Sequence, residues 1–177
     1  MPRVRIIGVS KRYGRVTALD TVSLELEDRE YVCILGPSGC GKTTLIKCIA
    51  GIIQPEEGRV YVDDRDLTDV PIQERGVGYV FQEVALFPHM SVADNISYGP
   101  RVKGWSPERA ERMAREMLSM VRLEERGRAY PRELSGGAQQ EVAVVRAFAS
   151  GSSLLLLDEP LGALDAKVRA KLRYELR

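Results

Sequence analysis

Residues 36 to 44, GPSGCGKTT, constrain this chain more than any other stretch of it. They fit G-x-x-x-x-G-K-[ST], directly after the apolar run Tyr31-Val-Cys-Ile-Leu35 and directly before helical periodicity that begins near Lys42. Strand, glycine-rich turn and helix in that order make a cradle for a phosphate chain. Gly36, Gly39 and Gly41 let the backbone curl so that its N–H groups converge on phosphate oxygens, and the positive end of the following helix adds to the attraction. Pro37, Ser38, Cys40 and Thr44 complete the cradle. Lys42 is suited to hold the β- and γ-phosphates, and Thr43 to place its hydroxyl on Mg²⁺. Such a loop binds a nucleotide without choosing among nucleotide kinases, GTPases, helicases and transport ATPases.

The flanking patterns predict an α/β protein. Val22-Ser-Leu-Glu-Leu-Glu27 and Arg59-Val-Tyr-Val62 alternate apolar with polar, as half-buried antiparallel strands do. Tyr31–Leu35, Val77-Gly-Tyr-Val-Phe81 and Leu154–Leu157 are short apolar runs, the pattern of parallel strands covered on both faces. Helices are predicted from Lys42 to about Ala50, ended by Gly51, and from Pro107 to about Val121, capped by Ser106. Two more are predicted, from Ser135 to about Ala149 and from Ala166 onward. At 177 residues one core is expected. The architecture is that of a P-loop NTPase with a mostly parallel core sheet, an antiparallel β subdomain and a helical subdomain.

Two further motifs narrow the chemistry. Leu154–Leu157 runs into Asp158-Glu159-Pro160, so two adjacent carboxylates emerge at the C-terminal edge of a sheet, the edge expected to carry the phosphate loop. Asp158 is suited to hold the Mg²⁺ shell and Glu159 to polarise the water that attacks the γ-phosphate, which implies hydrolysis. Leu134-Ser135-Gly136-Gly137 opens a helix, with Ser135 as cap and two glycines leaving N–H groups open to an anion. A second anion-binding helix start beside a single phosphate loop implies a dimer that sandwiches ATP.

With those motifs in order, the sequence resembles the ABC ATPase family along essentially its whole length, residues 1–177. GPSGCGKTT stands as Walker A, LSGGAQQ at 134 to 140 as the signature, LLLLDEP as Walker B and LGALD at 161 to 165 as the D-loop. The resemblance implies that Tyr13 stacks on adenine, that Gln82 touches Mg²⁺ and the attacking water, and that Asp165 communicates across the dimer. It also implies a helical subdomain at about 83–150, inserted between Gln82 and Walker B. The stretch from Phe81 to Ile96 looks like the ATPases of importers for oxyanions, iron, polyamines or sugars. The implied partners are transmembrane permease subunits, a second ATP-binding subunit and, indirectly, a solute-binding protein; the implied address is the cytoplasmic face of the membrane. Val84, Leu86, Phe87 and Met90 are candidates for the pocket that receives a permease helix, and core packing alone explains them about as well.

Composition agrees. The 26 basic and 25 acidic residues nearly cancel, which leaves no field to gather nucleic acid, and no apolar run approaches the roughly 20 residues of a membrane span. Cys33, Cys40 and Cys48 lack the spacing of a zinc site and read as free thiols, and His89, the lone histidine, as a loop residue. The chain departs from the family pattern in two ways. Ala138 and Glu141 stand where the family carries glutamine and arginine, and the family's switch histidine, expected about 30 residues beyond Glu159, has no counterpart within the 177 residues. The sequence therefore reads as C-terminally incomplete. The runner-up is a truncated nucleotide-binding module with little or no turnover, and a soluble ABC ATPase acting on DNA or ribosomes is disfavoured.

Overall fold

The computed structural model describes residues 2–159, and these divide after Val77 into two compact units. Each unit closes on its own buried residues.

In the first unit, β1 (Val4–Tyr13) and β2 (Val16–Leu26) pair antiparallel, and β3 (Glu57–Val62) takes the other edge of β1 and turns into the short β4 (Arg65–Asp66). Their alternation buries Val4, Ile6, Val9, Leu19, Val60 and Val62 on one face. The helix α1 (Lys42–Ala50) adds Leu45, Cys48 and Ile49, spaced three and four apart as one helical face requires. The predicted end at Gly51 holds: its φ is +79°, and its N–H bonds back to the Cys48 and Lys47 carbonyls.

One expectation fails here. Residues 31–35 carry no strand, and Tyr31, Val32 and Leu35 are 53%, 38% and 86% exposed. A strand persists only where neighbours take up its N–H and C=O groups, and no described strand pairs with this segment. Of the described strands, four are in the antiparallel sheet and two in a parallel one, so the parallel part is the smaller.

The second unit builds on α4 (Gly136–Ala149), which is buried on two sides. Val142, Val145 and Ala149 pack with Val92 and Ile96 of α2 (Val92–Val102) and with Ala114 and Leu118 of α3 (Pro107–Met120). Val144 and Ala147 pack instead with Val80, Leu155 and Leu157, from the parallel pair β5 (Val77–Val80) and β6 (Leu154–Leu157). Ser106 and Ser135 cap α3 and α4 as predicted, by accepting from the Arg109 and Ala138 N–H groups. α2 was not predicted; it is capped by Ser91 and carries Pro100 near its end. No helix among the described residues is long and apolar enough to cross a membrane. The helix expected from Ala166 lies outside the described residues, as do Asp165 and the rest of the D-loop.

Candidate functional site

The phosphate loop belongs to the first unit. Gly41, with φ +97°, is the N-cap residue of α1 and offers no side chain to cap it, so the N–H groups of the first turn face the loop rather than a protein hydroxyl. Gly41 also lies flush on β2: a Cβ there would sit 2.3 Å from the Ala18 carbonyl oxygen. Lys42 reaches back across the turn, its Nζ donating to the carbonyls of Gly36 at 2.9 Å and Pro37 at 3.0 Å. Those bonds hold the ammonium at the centre of the curl, where phosphate oxygens would replace the carbonyls as partners. Pro37, Ser38, Gly39 and Cys40 are exposed along the rim, and Thr43 and Thr44 are half-buried in the first turn of α1. Tyr13 ends β1 with its ring 48% exposed, and the Lys11 ammonium lies 5.8 Å from the ring centre. An exposed aromatic face at a strand end is free to stack on a flat base.

The acidic pair belongs to the second unit. The Asp158 N–H donates to the Val80 carbonyl at 3.0 Å, which carries the β5–β6 pairing one residue past the strand and fixes where the carboxylates emerge. Asp158 is 3% exposed, and one of its oxygens accepts from the Tyr79 hydroxyl at 3.1 Å. Burial, then the Asp158 charge and the hydrogen bond to it, push the Tyr79 phenol well above its ordinary range, so it remains a protonated donor. Glu159 is exposed, with φ +49°, and accepts from the Gln82 side-chain amide at 3.2 Å. The structure thus brings Gln82, Asp158 and Glu159 to one sheet edge, although Gln82 and Glu159 stand 77 positions apart in sequence. Tyr79 is a fourth member that sequence reading missed; its place in β5, three residues before Gln82, was the available signal.

The signature turn opens α4. Ser135 and Gly136 are exposed and Gly137 half-buried, and the Gln139 amide donates to the Pro131 and Leu134 carbonyls at 2.9 and 3.2 Å, pinning the approach to the turn. Ser135 accepts from the Ala138 N–H at 3.3 Å, which caps the helix start. Val84, Leu86, Phe87 and Met90 lie in the loop ahead of α2; Leu86 packs on the helical core, and the Phe87 ring contacts Tyr98 and the Arg146 guanidinium. His89 is exposed in that loop, as expected of a lone histidine.

Comparison with known proteins fits these elements. The ABC transporter family model matches residues 19–162. The chain belongs to the ABC transporter family. It is 46% identical over 176 residues to the spermidine/putrescine import ATP-binding protein PotA of Nitrosospira multiformis, covering 99% of this chain and 48% of that protein. It is 50% identical over 178 residues to the sulfate/thiosulfate import ATP-binding protein CysA of Brucella melitensis, covering 98% and 50%. Among solved structures, the ATP-binding cassette MJ0796, in a dimeric post-hydrolysis state bound to ADP and Pi, superposes with a TM-score of 0.85 at 34% identity, covering 98% of this chain and 80% of that one. The ABC chain thus spans about half the length of the curated relatives it matches.

Mg²⁺ suits the donors present. It keeps several waters and needs one or two carboxylates beside phosphate oxygens, and the buried Asp158 is a carboxylate of that kind.

Proposed function

We propose that this protein is the ATP-binding and ATP-hydrolysing subunit that powers solute import by an ABC transporter. The observation that carries the reading is the 3.2 Å hydrogen bond between the Gln82 amide and the Glu159 carboxylate, beside the buried Asp158. An amide and a carboxylate held together at a sheet edge make a site for one water molecule, oriented by Gln82 and relieved of a proton by Glu159. The glycine-rich turn from Gly36 to Thr44 cradles the phosphates, Lys42 neutralises the β- and γ-oxygens, and Tyr13 stacks on the adenine. Thr43, Asp158 and Gln82 would hold Mg²⁺, which would neutralise charge on the phosphate oxygens when the bond from the γ-phosphorus to its leaving oxygen breaks.

Ser135, Gly136 and Gly137 contact the nucleotide held by a second ATP-binding subunit, and Asp165 links the two sites. Residues 83–150 act as the helical subdomain of a domain spanning residues 1–177, and the Phe87 loop faces the permease subunits. The protein works on the cytoplasmic face of the membrane, with a solute-binding protein acting through the permease and no nucleic acid involved. The relatives named for polyamine and sulfate import support import over export.

The test is MgATP hydrolysis by the chain beside Glu159→Gln, with nucleotide binding measured in both. Turnover in the first and at least 10²-fold less in the second, with binding retained, is the expected result. Binding without turnover in both would leave the nucleotide-binding module with little or no turnover as the better account.

A further inference from the structure

Arg75 is a buried cation bound by backbone oxygens. It is 6% exposed and donates to four main-chain carbonyls: Nε to Val70 at 2.7 Å, one terminal nitrogen to Cys48 at 3.1 Å and Ile49 at 2.9 Å, and the other to Thr68 at 3.0 Å. Two of those carbonyls belong to the last turn of α1, where helix carbonyls lack intrahelical donors and the dipole is negative. The guanidinium lies flat on Gly51, whose added Cβ would fall 2.3 Å from Nε, so the helix end and the arginine are fitted to each other.

The other two carbonyls lie in the loop after β4, which is itself tied down. Thr68 accepts from the Val60 N–H at 3.0 Å and bonds through its N–H and hydroxyl to Asp66, and Asp66 also accepts from Arg59 at 2.6 Å. Hydrogen bonds therefore run from the C-terminal end of α1 through Arg75 and Thr68 into β3, and β3 pairs with β1, which ends at Tyr13. At its other end α1 is seated on β2 through Gly41 and Ala18. A nine-residue helix held at both ends has its direction fixed relative to the sheet.

We infer that Arg75 is a positioning residue for nucleotide binding: by clamping the C-terminal end of α1 to the loop after β4, it sets the phosphate loop at the spacing from Tyr13 that one nucleotide must span. The inference rests on the nucleotide-binding reading above. A lysine in its place keeps the charge but offers a point donor instead of a planar fork, so it cannot hold both α1 and the loop.

The experiment measures the dissociation constant of MgATP and the hydrogen exchange of the α1 amides without nucleotide, in the unaltered chain, Arg75→Lys and Thr68→Val. Thr68→Val leaves α1 and Arg75 intact while slackening the loop, and it provides the test if Arg75→Lys fails to fold. The expected result is about 10-fold faster exchange across α1 and about 10-fold weaker MgATP binding in Arg75→Lys, with changes of about 3-fold in the same direction in Thr68→Val. Faster exchange with unchanged affinity would overturn the positioning role, as would weaker affinity with unchanged exchange. If the unaltered chain bound no MgATP, the nucleotide reading itself would fall and the inference with it. Failure of the inference alone is distinct, because then the unaltered chain binds and the variants bind equally well.

Discussion

Replacing Gly41 with alanine measures how firmly the phosphate loop is seated on β2, provided Gly39→Ala is made beside it. Gly39 has φ +80° and Gly41 φ +97°, so alanine at either position carries the left-handed penalty of about 1–2 kcal/mol. Their surroundings differ. A Cβ at position 39 meets nothing within 4 Å, whereas one at position 41 lies 2.3 Å from the Ala18 carbonyl oxygen and 3.1 Å from a Leu19 methyl. Because real Cβ contacts essentially never fall below 3.0 Å, the loop or β2 must yield by roughly 0.7 Å, and Leu19 is only 5% exposed. Forced displacement in packed surroundings costs about 1–3 kcal/mol. Gly41→Ala should therefore be about 2 kcal/mol less stable than Gly39→Ala. The backbone penalty, common to both, cancels in the difference. With a urea dependence of about 1–3 kcal/mol per molar, the midpoint by far-ultraviolet circular dichroism should lie roughly 1 M lower for Gly41→Ala. Equal midpoints would refute the seating of α1 on β2.

Asn95 is fully buried and serves the loop ahead of α2, accepting from the Phe87 N–H at 2.8 Å and donating to the Phe87, Met90 and Ser91 carbonyls. Asn95→Ala should cost about 2–4 kcal/mol, read by denaturation followed through Trp105, the only tryptophan; a loss below about 1 kcal/mol would contradict that account. Asp66 is held down to about 2, chiefly by its hydrogen bonds from the Thr68 hydroxyl and N–H and then by Arg59. A depressed carboxylate stabilises the fold above its unfolded pKa, near 4, and loses that contribution as pH falls through the folded value. The stability gap between the unaltered chain and Asp66→Asn should accordingly be full at pH 6 and close between about pH 4 and 2, and a pH-independent gap would rule the linkage out. Ser135→Ala removes the cap of α4 and should cost about 1 kcal/mol in thermal or urea unfolding, with no change expected if the Ala138 N–H finds water instead.

Local signals made three helices legible. Gly51 after α1, Ser106 with Pro107 before α3 and Ser135 before α4 each satisfy groups at a helix end, and such bonds depend on neighbours a few residues away. Elements that depend on distant partners were harder to read. β1 escaped notice because its ladder slips between Ile6 and Val9, which breaks the alternation a strand should show. α2 escaped because Gly99-Pro100 reads as a helix breaker, and because Asn95 and Ser97, polar in sequence, are buried by the loop and turn they bond to. The run at residues 31–35 erred in the opposite direction: apolar content announces a wish to be buried, but a strand also needs a paired neighbour, which composition does not display.

The candidate site divides along the same line. The phosphate loop is a local structure: a turn, a helix start and a lysine that bonds back across the turn all lie within nine positions. The meeting of Gln82 with Glu159 is different: neither residue carries a local signal for it, and only the pairing of β5 with β6, extended by the bond from Asp158 to Val80, brings the two together. Tyr79 and Arg75 were invisible for the same reason, since each acts on a partner that chain order conceals. Arg75 shows this most plainly. Its position just before β5 suggests a surface cation, yet the carbonyls at the end of α1, which have lone pairs to spare, and the absence of a side chain at Gly51, draw it into the core. A motif names the atoms that touch the ligand, whereas the residues that hold those atoms in place are recognised by the backbone groups they satisfy, which only the fold displays.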